Sequence, residues 1–281
     1  MQQFIISGFS DEIDDNIEVQ FSHLNKLGII YFEPRGINGK NIADLSEDEA
    51  YELKKTMDKY GIMASSIGSP IGKIAISDPI EPHLDVLKRV INTAKILGTK
   101  YIRVFSFYMP QEDYTPYRDE VMRRMRMMAD VAEDEGVTLL HENEKNIYGD
   151  IASRCLEIVE EINSPALKCV FDPANFIQCG QKVYPDAYKV LRPYIEYMHI
   201  KDAADDGTVV PSGLGIGNIK AILGALKESN YNGFLSLEPH LGSFTGLANL
   251  EIGDEMLDLE HSSPDKFTCA YNALVTILKE L

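Results

Sequence analysis

The sequence has few basic residues and no long hydrophobic run. Its 281 residues include 27 Lys and Arg against 44 Asp and Glu, giving a formal net charge of −17 and a pI of about 4.7. Because such a chain repels phosphate backbones and anionic lipid, we expect neither nucleic acid nor a membrane as a partner. No stretch approaches a membrane span, and the N-terminus MQQFIISGFSDEIDD lacks the basic region of a signal peptide. These absences predict a soluble cytoplasmic protein.

Cysteine is also scarce, and its spacing excludes the usual cysteine motifs. The chain has four cysteines, and no two of them form a C-x-x-C pair. A chain of this length does not need disulfides to hold a core, so we expect free thiols in a reducing cytosol. The four are Cys155, Cys169, Cys179 and Cys269.

The length and pattern of the chain favour one α/β barrel. Short β-rich runs alternate with amphipathic helices, and no linker or low-complexity segment interrupts them. We therefore expect one domain over residues 1–281, folded as a single (β/α)8 TIM barrel. An open doubly wound sheet is the alternative, which would place ligands at one switch point. The predicted strands are Phe4–Ser7, Ile29–Glu33, Met63–Ile67, Tyr101–Phe105, Thr138–Glu142, Lys168–Asp172, Ile195–His199 and Phe234–Glu238.

Helix ends are marked in the sequence by caps and glycines. Ser46 with Glu49 forms a capping box, and Gly61 ends the helix that follows. Ser263 and Pro264 open the last helix as N-cap and first residue. The segment 239–263, rich in Gly, Ser and acids, predicts a long loop at the mouth of the barrel. Further helices are predicted over 50–60, 82–97, 117–135, 150–163 and 218–229.

Four chemically matched side chains end four successive predicted strands. They are Glu142, Asp172, His199 and Glu238. Each alone has an ordinary explanation: an exposed loop acid, a helix cap before Pro173, or a core histidine. Together, three carboxylates and one imidazole suit a divalent cation, and a barrel brings its strand ends to one point. The sequence therefore predicts a metal-dependent enzyme.

Several strings in the chain carry a family resemblance. They are GFSDEID at 8–14, SSIGSPIGK at 65–73, RVFSFY at 103–108, FDPAN at 171–175, HIKD at 199–202 and VPSGLGIGNI at 210–219. With the order Glu, Asp, His, Glu, they make the whole chain similar to the xylose-isomerase-like barrel superfamily. Within it, the chain resembles the sugar phosphate isomerase/epimerase subgroup. The superfamily also includes apurinic endonucleases.

The resemblance implies roles for the four residues. In ketose 3-epimerases of the superfamily these positions bind Mn²⁺ or a similar ion, and the two glutamates move the proton. This makes Glu142 and Glu238 the acid/base pair, with Asp172 and His199 as ligands only. The implied cofactor is one divalent ion, Mn²⁺ foremost, with Mg²⁺, Co²⁺ or Zn²⁺ as alternatives. The chain departs from those epimerases at Asn175, where they often have His, and in offering Lys201 where they have Arg.

The endonuclease members are a poor match. They hold a multi-zinc cluster with extra histidines from strands 2 and 3, where this chain has Glu33, Pro34 and Arg35, and then serines. Its His23 and His83 fall on predicted helices. We therefore expect no cleavage of nucleic acid.

Other polar residues near strand ends are candidates for substrate binding. Glu33 and Arg35 could bind hydroxyls or form a buried ion pair. Lys73 and Arg103 could hold a phosphate or carboxylate, or neutralise nearby acids. The glycines at 213, 215 and 217 could bind phosphate at a helix N-terminus or form a tight structural turn. The remaining candidates are Asn175, Lys201 and His240, the last as a pocket residue or a support for Glu238.

These residues favour an isomerase or epimerase of a small sugar, keto-sugar or sugar phosphate. A divalent ion would stabilise an enediolate, while a carboxylate on each face of the carbon removes and returns a proton. The same site could instead eliminate water from a keto-sugar or inosose, as a lyase. A non-catalytic sugar-binding barrel is a third reading. The expected partner is a small carbohydrate, and a homo-oligomer is left open.

Overall fold

The computed structural model describes residues 4–110, 113–245 and 260–281. Strands and helices alternate along the chain, as a (β/α)8 barrel requires. The strands are β1 (Ile5–Gly8), β2 (Tyr31–Phe32), β3 (Gly36–Ile37), β4 (Lys40–Asn41), β5 (Met63–Ala64), β6 (Tyr101–Val104), β7 (Thr138–Glu142), β8 (Leu167–Phe171), β9 (Ile195–Ile200), β10 (Asp202–Ala203), β11 (Val209–Val210) and β12 (Phe234–Leu237). The α-helices are α1 (Ile17–Leu27), α2 (Glu47–Tyr60), α3 (Ile80–Leu97), α4 (Arg118–Glu135), α5 (Ala152–Ile162), α6 (Pro173–Gln178), α7 (Tyr188–Leu191), α8 (Ile219–Glu228) and α9 (Pro264–Lys279).

Eight of these strands form the barrel. Six pair in parallel in the order β1-β12-β9-β8-β7-β6, and β2 pairs in parallel with β5. Backbone bonds join the two groups: Glu33 N donates to Gly8 O at 2.9 Å, and Arg103 N donates to Ile67 O at 2.9 Å. The predicted (β/α)8 barrel is thereby confirmed, and the open sheet is excluded. The remaining strands form two antiparallel hairpins, β3 with β4 and β10 with β11.

Most helix ends follow the sequence signals. Ser46 and Glu49 form the capping box of α2, and Gly61 ends that helix at a φ of 68°. Ser263 accepts a bond from the third residue of α9, with Pro264 at its first position. The start of α1 was not predicted, although Asn16, a favoured N-cap residue, caps it through its side chain. Among the described helices, none is long and apolar enough to cross a membrane.

Two strands are shorter than predicted. The runs Ile29–Glu33 and Met63–Ile67 contribute only two regular residues each, in β2 and β5. The cause is a change of partner: Ser65 N still bonds to β2 at Phe32 O, but Ile67 N bonds to the first residue of β6, at Tyr101 O. Helix α3 in turn begins two residues earlier than predicted, because a proline at position 82 is tolerated in a first turn.

The interior of the barrel is apolar at one end and polar at the other. Leu140, Val170 and Tyr197 form a small apolar cluster separate from the main core. Above it, hydroxyls bond in a chain, with Ser7 Oγ 2.6 Å from Ser65 Oγ, which lies 2.8 Å from Tyr197 OH. Because strand side chains alternate, the neighbours of inward-facing residues pack outward against the helices. The polar end of the interior is where the strand-end side chains lie.

The long connection between β12 and α9 can be located only at its ends. Residues 246–259 lie outside the described residues, so the predicted mouth loop is described only on either side of them. Both ends attach to Glu12, whose carboxylate Oε2 accepts from His240 N at 2.6 Å and whose backbone O accepts from Ser262 Oγ at 2.6 Å. The two ends also bond to each other, Ser243 N donating to Glu260 O at 3.0 Å. The described ends thus sit beside the turn that follows β1.

Candidate metal centre

The four strand-end residues lie together. Glu142 ends β7, Asp172 follows β8, His199 lies in β9 and Glu238 follows β12, on four strands that are neighbours around the barrel. All four are buried, and one donor atom from each lies within 4.8 Å of the others. His199 Nδ1 is 3.0 Å from Glu142 Oε1, 3.4 Å from Glu238 Oε2 and 3.9 Å from Asp172 Oδ2. These separations suit donors around one ion with bonds of about 2 Å.

The charge balance of the cluster also fits a cation. Glu142 Oε2 and Asp172 Oδ2 are buried and make no hydrogen bond within the described part of the chain. Such groups are costly unless a counter-charge faces them. Buried carboxylates around the site outnumber the buried Arg and Lys side chains that face them, and a bound divalent ion would take the place of the proton that His199 otherwise holds. The carboxylates are Asp11, Glu12, Glu33, Glu142, Asp172 and Glu238, and the cations are Arg35, Arg103 and Lys201.

Asp172 serves two purposes at once. Its Oδ1 caps α6 by accepting a bond from Asn175 N at 2.9 Å, which leaves Oδ2 facing the cluster. The helix-cap and ligand explanations of this residue are therefore compatible. The side chain of Asn143 makes two hydrogen bonds with the Asp172 backbone: its Oδ1 accepts from Asp172 N at 3.0 Å, and its Nδ2 donates to Asp172 O at 2.9 Å. Asn143 was not predicted from the sequence, because strand alternation after Glu142 places its side chain on the opposite face.

Asn175 lies directly beside the ligand group. Its Nδ2 donates to Asn143 O at 2.9 Å and approaches Glu142 Oε1 at 3.3 Å. It therefore reaches the same carboxylate oxygen that faces His199 Nδ1.

Two cations contact the ligand oxygens directly. Arg103 NH1 lies 3.2 Å from Glu142 Oε2 and 3.7 Å from Glu238 Oε1. Lys201 Nζ lies 2.9 Å from Asp172 Oδ2 and 3.0 Å from Glu238 Oε2. Both side chains are almost fully buried. Each carboxylate of the group therefore faces a cation on one side and the ligand cluster on the other.

Arg35 is held within the protein. Its guanidinium donates to both oxygens of Asp11, at 2.8 and 3.0 Å, to Glu12 Oε1 at 3.1 Å and to Glu238 Oε1 at 3.2 Å. It also stacks between two aromatic rings, those of Phe9 and Phe244. These contacts match the buried-ion-pair explanation of Arg35. Asp11 and Glu12 were not identified from sequence, although both belong to the GFSDEID string.

Lys73 and His240 lie at the edge of the cluster. Lys73 Nζ pairs with Glu144 Oε2 at 3.4 Å and sits 4.4 Å from the centre of the Phe105 ring. Burial, with a smaller contribution from the nearby Arg103 charge, lowers the pKa of Lys73 from its usual value. His240 Nε2 lies 3.4 Å from Glu238 Oε1, a contact that fits its predicted role as a support for that glutamate. Burial lowers the pKa of His240 to about 4.

The glycine-rich segment before α8 binds a carboxylate of the protein itself. Asp202 accepts backbone N–H bonds from Gly213 at 2.8 Å, Gly215 at 3.2 Å and Gly217 at 2.9 Å. A Cβ at Gly215 would lie only 2.3 Å from Ala203 O, so the close approach requires glycine there. The amides that could bind a phosphate are already used by Asp202. These contacts fit the structural-turn alternative.

Protonation of the cluster follows from burial and mutual charge. Burial disfavours the imidazolium, but the carboxylates of Glu142 and Glu33 outweigh it and raise the pKa of His199 to about 10. Burial, together with the charges of Glu238 and Glu142, raises the pKa of Asp172 to about 7 despite Lys201. For Glu142, the opposing effect of burial is overcome by His199 and Arg103, which lower its pKa to about 2. Without an ion, the cluster therefore holds a proton on His199 at neutral pH.

Divalent-ion affinity is expected to rise with pH. An ion requires a neutral imidazole, so its binding must displace the proton whose pKa on His199 is about 10. We expect about a tenfold gain in apparent affinity per unit between pH 7 and pH 9, and a steeper gain below pH 7, where Asp172 is also protonated. Calorimetric titration with Mn²⁺ in buffers of different ionisation enthalpy measures the affinity and the protons released. Affinity that stays flat with pH would show that the ring is already neutral.

Comparison with known proteins places this chain in a family. The sequence model of the xylose isomerase-like TIM barrel matches residues 21–257. The chain belongs to this family. The match confirms the family expected from the sequence strings.

Two characterised relatives differ in the reaction that they catalyse. The 3-dehydroshikimate dehydratase of Bacillus anthracis is 25% identical over 185 residues, which span 66% of this chain and 65% of the relative. The 2-epi-5-epi-valiolone 7-phosphate 2-epimerase of an Actinoplanes species is 25% identical over 196 residues, spanning 68% of this chain and 70% of the relative. A crystal structure of the IOLI protein with a bound zinc atom has a TM-score of 0.74, with 19% identity and 99% of each chain covered.

Proposed function

We propose that the protein is a divalent-metal-dependent isomerase or epimerase of a small sugar, keto-sugar or sugar phosphate. The observation that carries this proposal is the buried group of Glu142, Asp172, His199 and Glu238, with donor atoms within 4.8 Å of one another. Such a group occupies the carboxyl ends of barrel strands, where the active sites of this fold occur. The epimerase among the relatives supports the reaction class.

The proposed chemistry assigns a proton-transfer role to the two glutamates. A divalent ion at this site would supply the positive charge that stabilises the enediolate formed from a carbonyl compound. Glu142 and Glu238 come from β7 and β12, which lie on opposite sides of β8 and β9 in the ring order. We propose that a substrate carbon lies between them, so that one carboxylate removes a proton and the other returns one. Arg103 and Lys201 keep the carboxylates ionised for this purpose.

The cation is proposed to be Mn²⁺, with Mg²⁺, Co²⁺ and Zn²⁺ as alternatives. Three carboxylate donors favour hard ions such as Mn²⁺ and Mg²⁺, while the imidazole also suits Co²⁺ and Zn²⁺. The zinc atom in the IOLI protein supports the last alternative. A substitution series with these metals, read out as activity and affinity, ranks them.

The substrate is proposed to be bound by polar residues around the ligand group. Lys73, held by Glu144 beside Phe105, is suited to a phosphate or carboxylate as a point charge. We assign Arg103 to the same anionic group, and we assign hydroxyl contacts to three residues that touch the ligands, namely Asn175, Lys201 and His240. For Glu33 and Arg35, the partners found within the protein favour structural roles over direct contact.

A dehydratase is the second candidate function, because one of the two relatives is a dehydratase. Both reactions begin when a carboxylate removes a proton next to a carbonyl, and they differ in what leaves afterwards. Elimination expels a hydroxyl as water and changes the mass of the product, whereas epimerisation does not. The same carboxylates would serve either outcome, so only the products separate the two candidates.

Solvent exchange tests the proposal. The purified protein, loaded with Mn²⁺, is incubated in D₂O with a panel of ketoses, ketose phosphates and 3-dehydroshikimate. We expect ion-dependent incorporation of deuterium at one carbon of the true substrate, abolished by a chelator and restored by Mn²⁺. A product that has lost water identifies the dehydratase instead. A protein that binds no divalent ion and exchanges no substrate proton would overturn both candidates and favour a sugar-binding barrel.

A further inference from the structure

The two ring nitrogens of His199 face different surroundings. Nδ1 faces the carboxylates of the ligand group, at 3.0 Å from Glu142 Oε1 and 3.4 Å from Glu238 Oε2. Nε2 faces away from that group and lies 3.3 Å from Glu33 Oε2. If Nδ1 binds an ion, the imidazole is neutral and its remaining proton must be on Nε2. Glu33 is then the group that can accept this proton in a hydrogen bond.

Glu33 has little else to stabilise its charge. Its side chain is 1% exposed, and within the described part of the chain neither a lysine nor an arginine forms an ion pair with it. The carboxylate accepts one bond, from Ser236 Oγ to Oε2 at 2.7 Å, whereas Oε1 makes none. A buried carboxylate with one hydroxyl partner is costly unless a further donor faces it. The His199 ring faces it: Nε2 lies 3.3 Å from Glu33 Oε2 and has no other hydrogen-bond partner among the described residues.

The surroundings of the ring fix its plane but not its tautomer. Phe9 and Tyr197 both pack edge-on against His199, with ring centres at 5.2 and 5.9 Å and interplanar angles of 76° and 86°. Aromatic contacts of this kind restrict the ring without distinguishing its two nitrogens. Among the described residues, Glu33 is the acceptor that lies on the Nε2 side, where a proton would leave a lone pair on Nδ1.

We propose that Glu33 is a positioning residue that holds His199 with Nδ1 free to bind the ion. The inference rests on the proposed metal-dependent function and adds a residue that acts through His199 rather than on the substrate. Carboxylates that orient a metal-binding histidine typically strengthen metal affinity by about 10–100-fold. We therefore expect Glu33→Gln to bind Mn²⁺ about 10–100-fold more weakly than the wild type.

Three variants test the proposal by metal binding alone. Glu33→Gln removes the charge with little change in volume, and Ser236→Ala removes the hydroxyl that fixes Glu33 while leaving the carboxylate. Ser65→Ala is the matched control, because its buried hydroxyl bonds to Ser7 and Tyr197 in the same interior. Mn²⁺ affinity is measured by calorimetry, and the Co²⁺ absorption spectrum reports the ligand geometry. We expect weaker binding and an altered spectrum in Glu33→Gln, a smaller effect in Ser236→Ala, and neither in Ser65→Ala.

The outcomes separate this inference from the function on which it rests. A wild-type protein that binds no divalent ion overturns both. Wild-type binding with unchanged affinity and spectrum in Glu33→Gln overturns the positioning role alone. Equal losses in Glu33→Gln and Ser65→Ala also overturn it, because they indicate a general disturbance of the interior. If Glu33→Gln does not fold, Ser236→Ala decides, and unchanged binding in that variant counts against the proposal.

Discussion

Replacing Glu142 or Glu238 with glutamine is expected to lower kcat on the true substrate by about 10²–10⁴-fold. Glutamine keeps the size of the side chain and one carbonyl oxygen that can face an ion, but it cannot accept a substrate proton. Metal affinity should therefore fall less than in the corresponding alanine variants. The decisive measurement is deuterium incorporation from D₂O, which should appear with the wild type and be lost in both glutamine variants.

Glu144→Gln provides the control for this experiment. Glu144 lies two residues beyond Glu142 and pairs with Lys73, outside the ligand group. Its replacement removes the same charge from the same end of the barrel, so kcat should stay within a few-fold of the wild type while KM responds to the changed Lys73. Turnover without solvent deuterium would argue for internal proton return or hydride transfer. Unchanged rates in both glutamine variants would remove these glutamates from catalysis.

The two glutamates are not equivalent in the structure. Both oxygens of Glu238 face cations, with Arg35 3.2 Å from Oε1 and Lys201 3.0 Å from Oε2. Among the described Lys and Arg side chains, Glu142 faces one, Arg103, 3.2 Å from its Oε2, while its Oε1 faces the His199 imidazole. Fewer cations leave a carboxylate more basic once an ion occupies the centre. The rate of proton loss from each substrate epimer should be measured in Glu142→Gln and in Glu238→Gln. The epimer that stops losing its proton in a given variant identifies the glutamate that removes that proton.

The ligand group could be predicted from sequence because it depends on regular geometry. Strand ends in a barrel converge, and each of the four residues ends a short apolar run. To predict that these four residues are neighbours, only the order of the strands along the chain was needed. The same logic located His23 and His83 on helices, where α1 and α3 contain them.

The partners of the charged residues could not be predicted in this way. Arg35 contacts Glu238, more than 200 residues away, through a side chain that could point in several directions. Glu33 lies only two residues before Arg35, yet it faces His199 instead. Strand alternation would place residues two apart on the same face, so their different partners depend on rotamers and on packing against Phe9 and other rings. The predicted lengths of β2 and β5 were wrong for a related reason, because the pairing partner changes along the strand.

Removal of the Asp172 carboxylate is expected to have the second large effect. Lys201 and the imidazole would remain, but the ion would lose one of its three anionic donors in a buried site. Removing one partner of a buried charge interaction costs about 3–5 kcal/mol, which corresponds to roughly 10²–10⁴-fold weaker metal binding. Metal content after dialysis, measured by elemental analysis, should fall accordingly in Asp172→Ala.

Asp172→Asn separates the ligand role from the helix cap. Asparagine is as good an N-cap as aspartate, so this variant should keep the bond to Asn175 N that Asp172 Oδ1 accepts at 2.9 Å. Asp172→Ala loses the cap and should be less stable by about 1 kcal/mol in the metal-free state. Both variants should nevertheless lose metal, because both lack the negative charge. Metal retained at the wild-type level in both variants would contradict the assignment of Asp172 as a ligand. Metal lost only in Asp172→Ala would attribute the effect to the helix cap, and Glu142, His199 and Glu238 would then form a three-residue site.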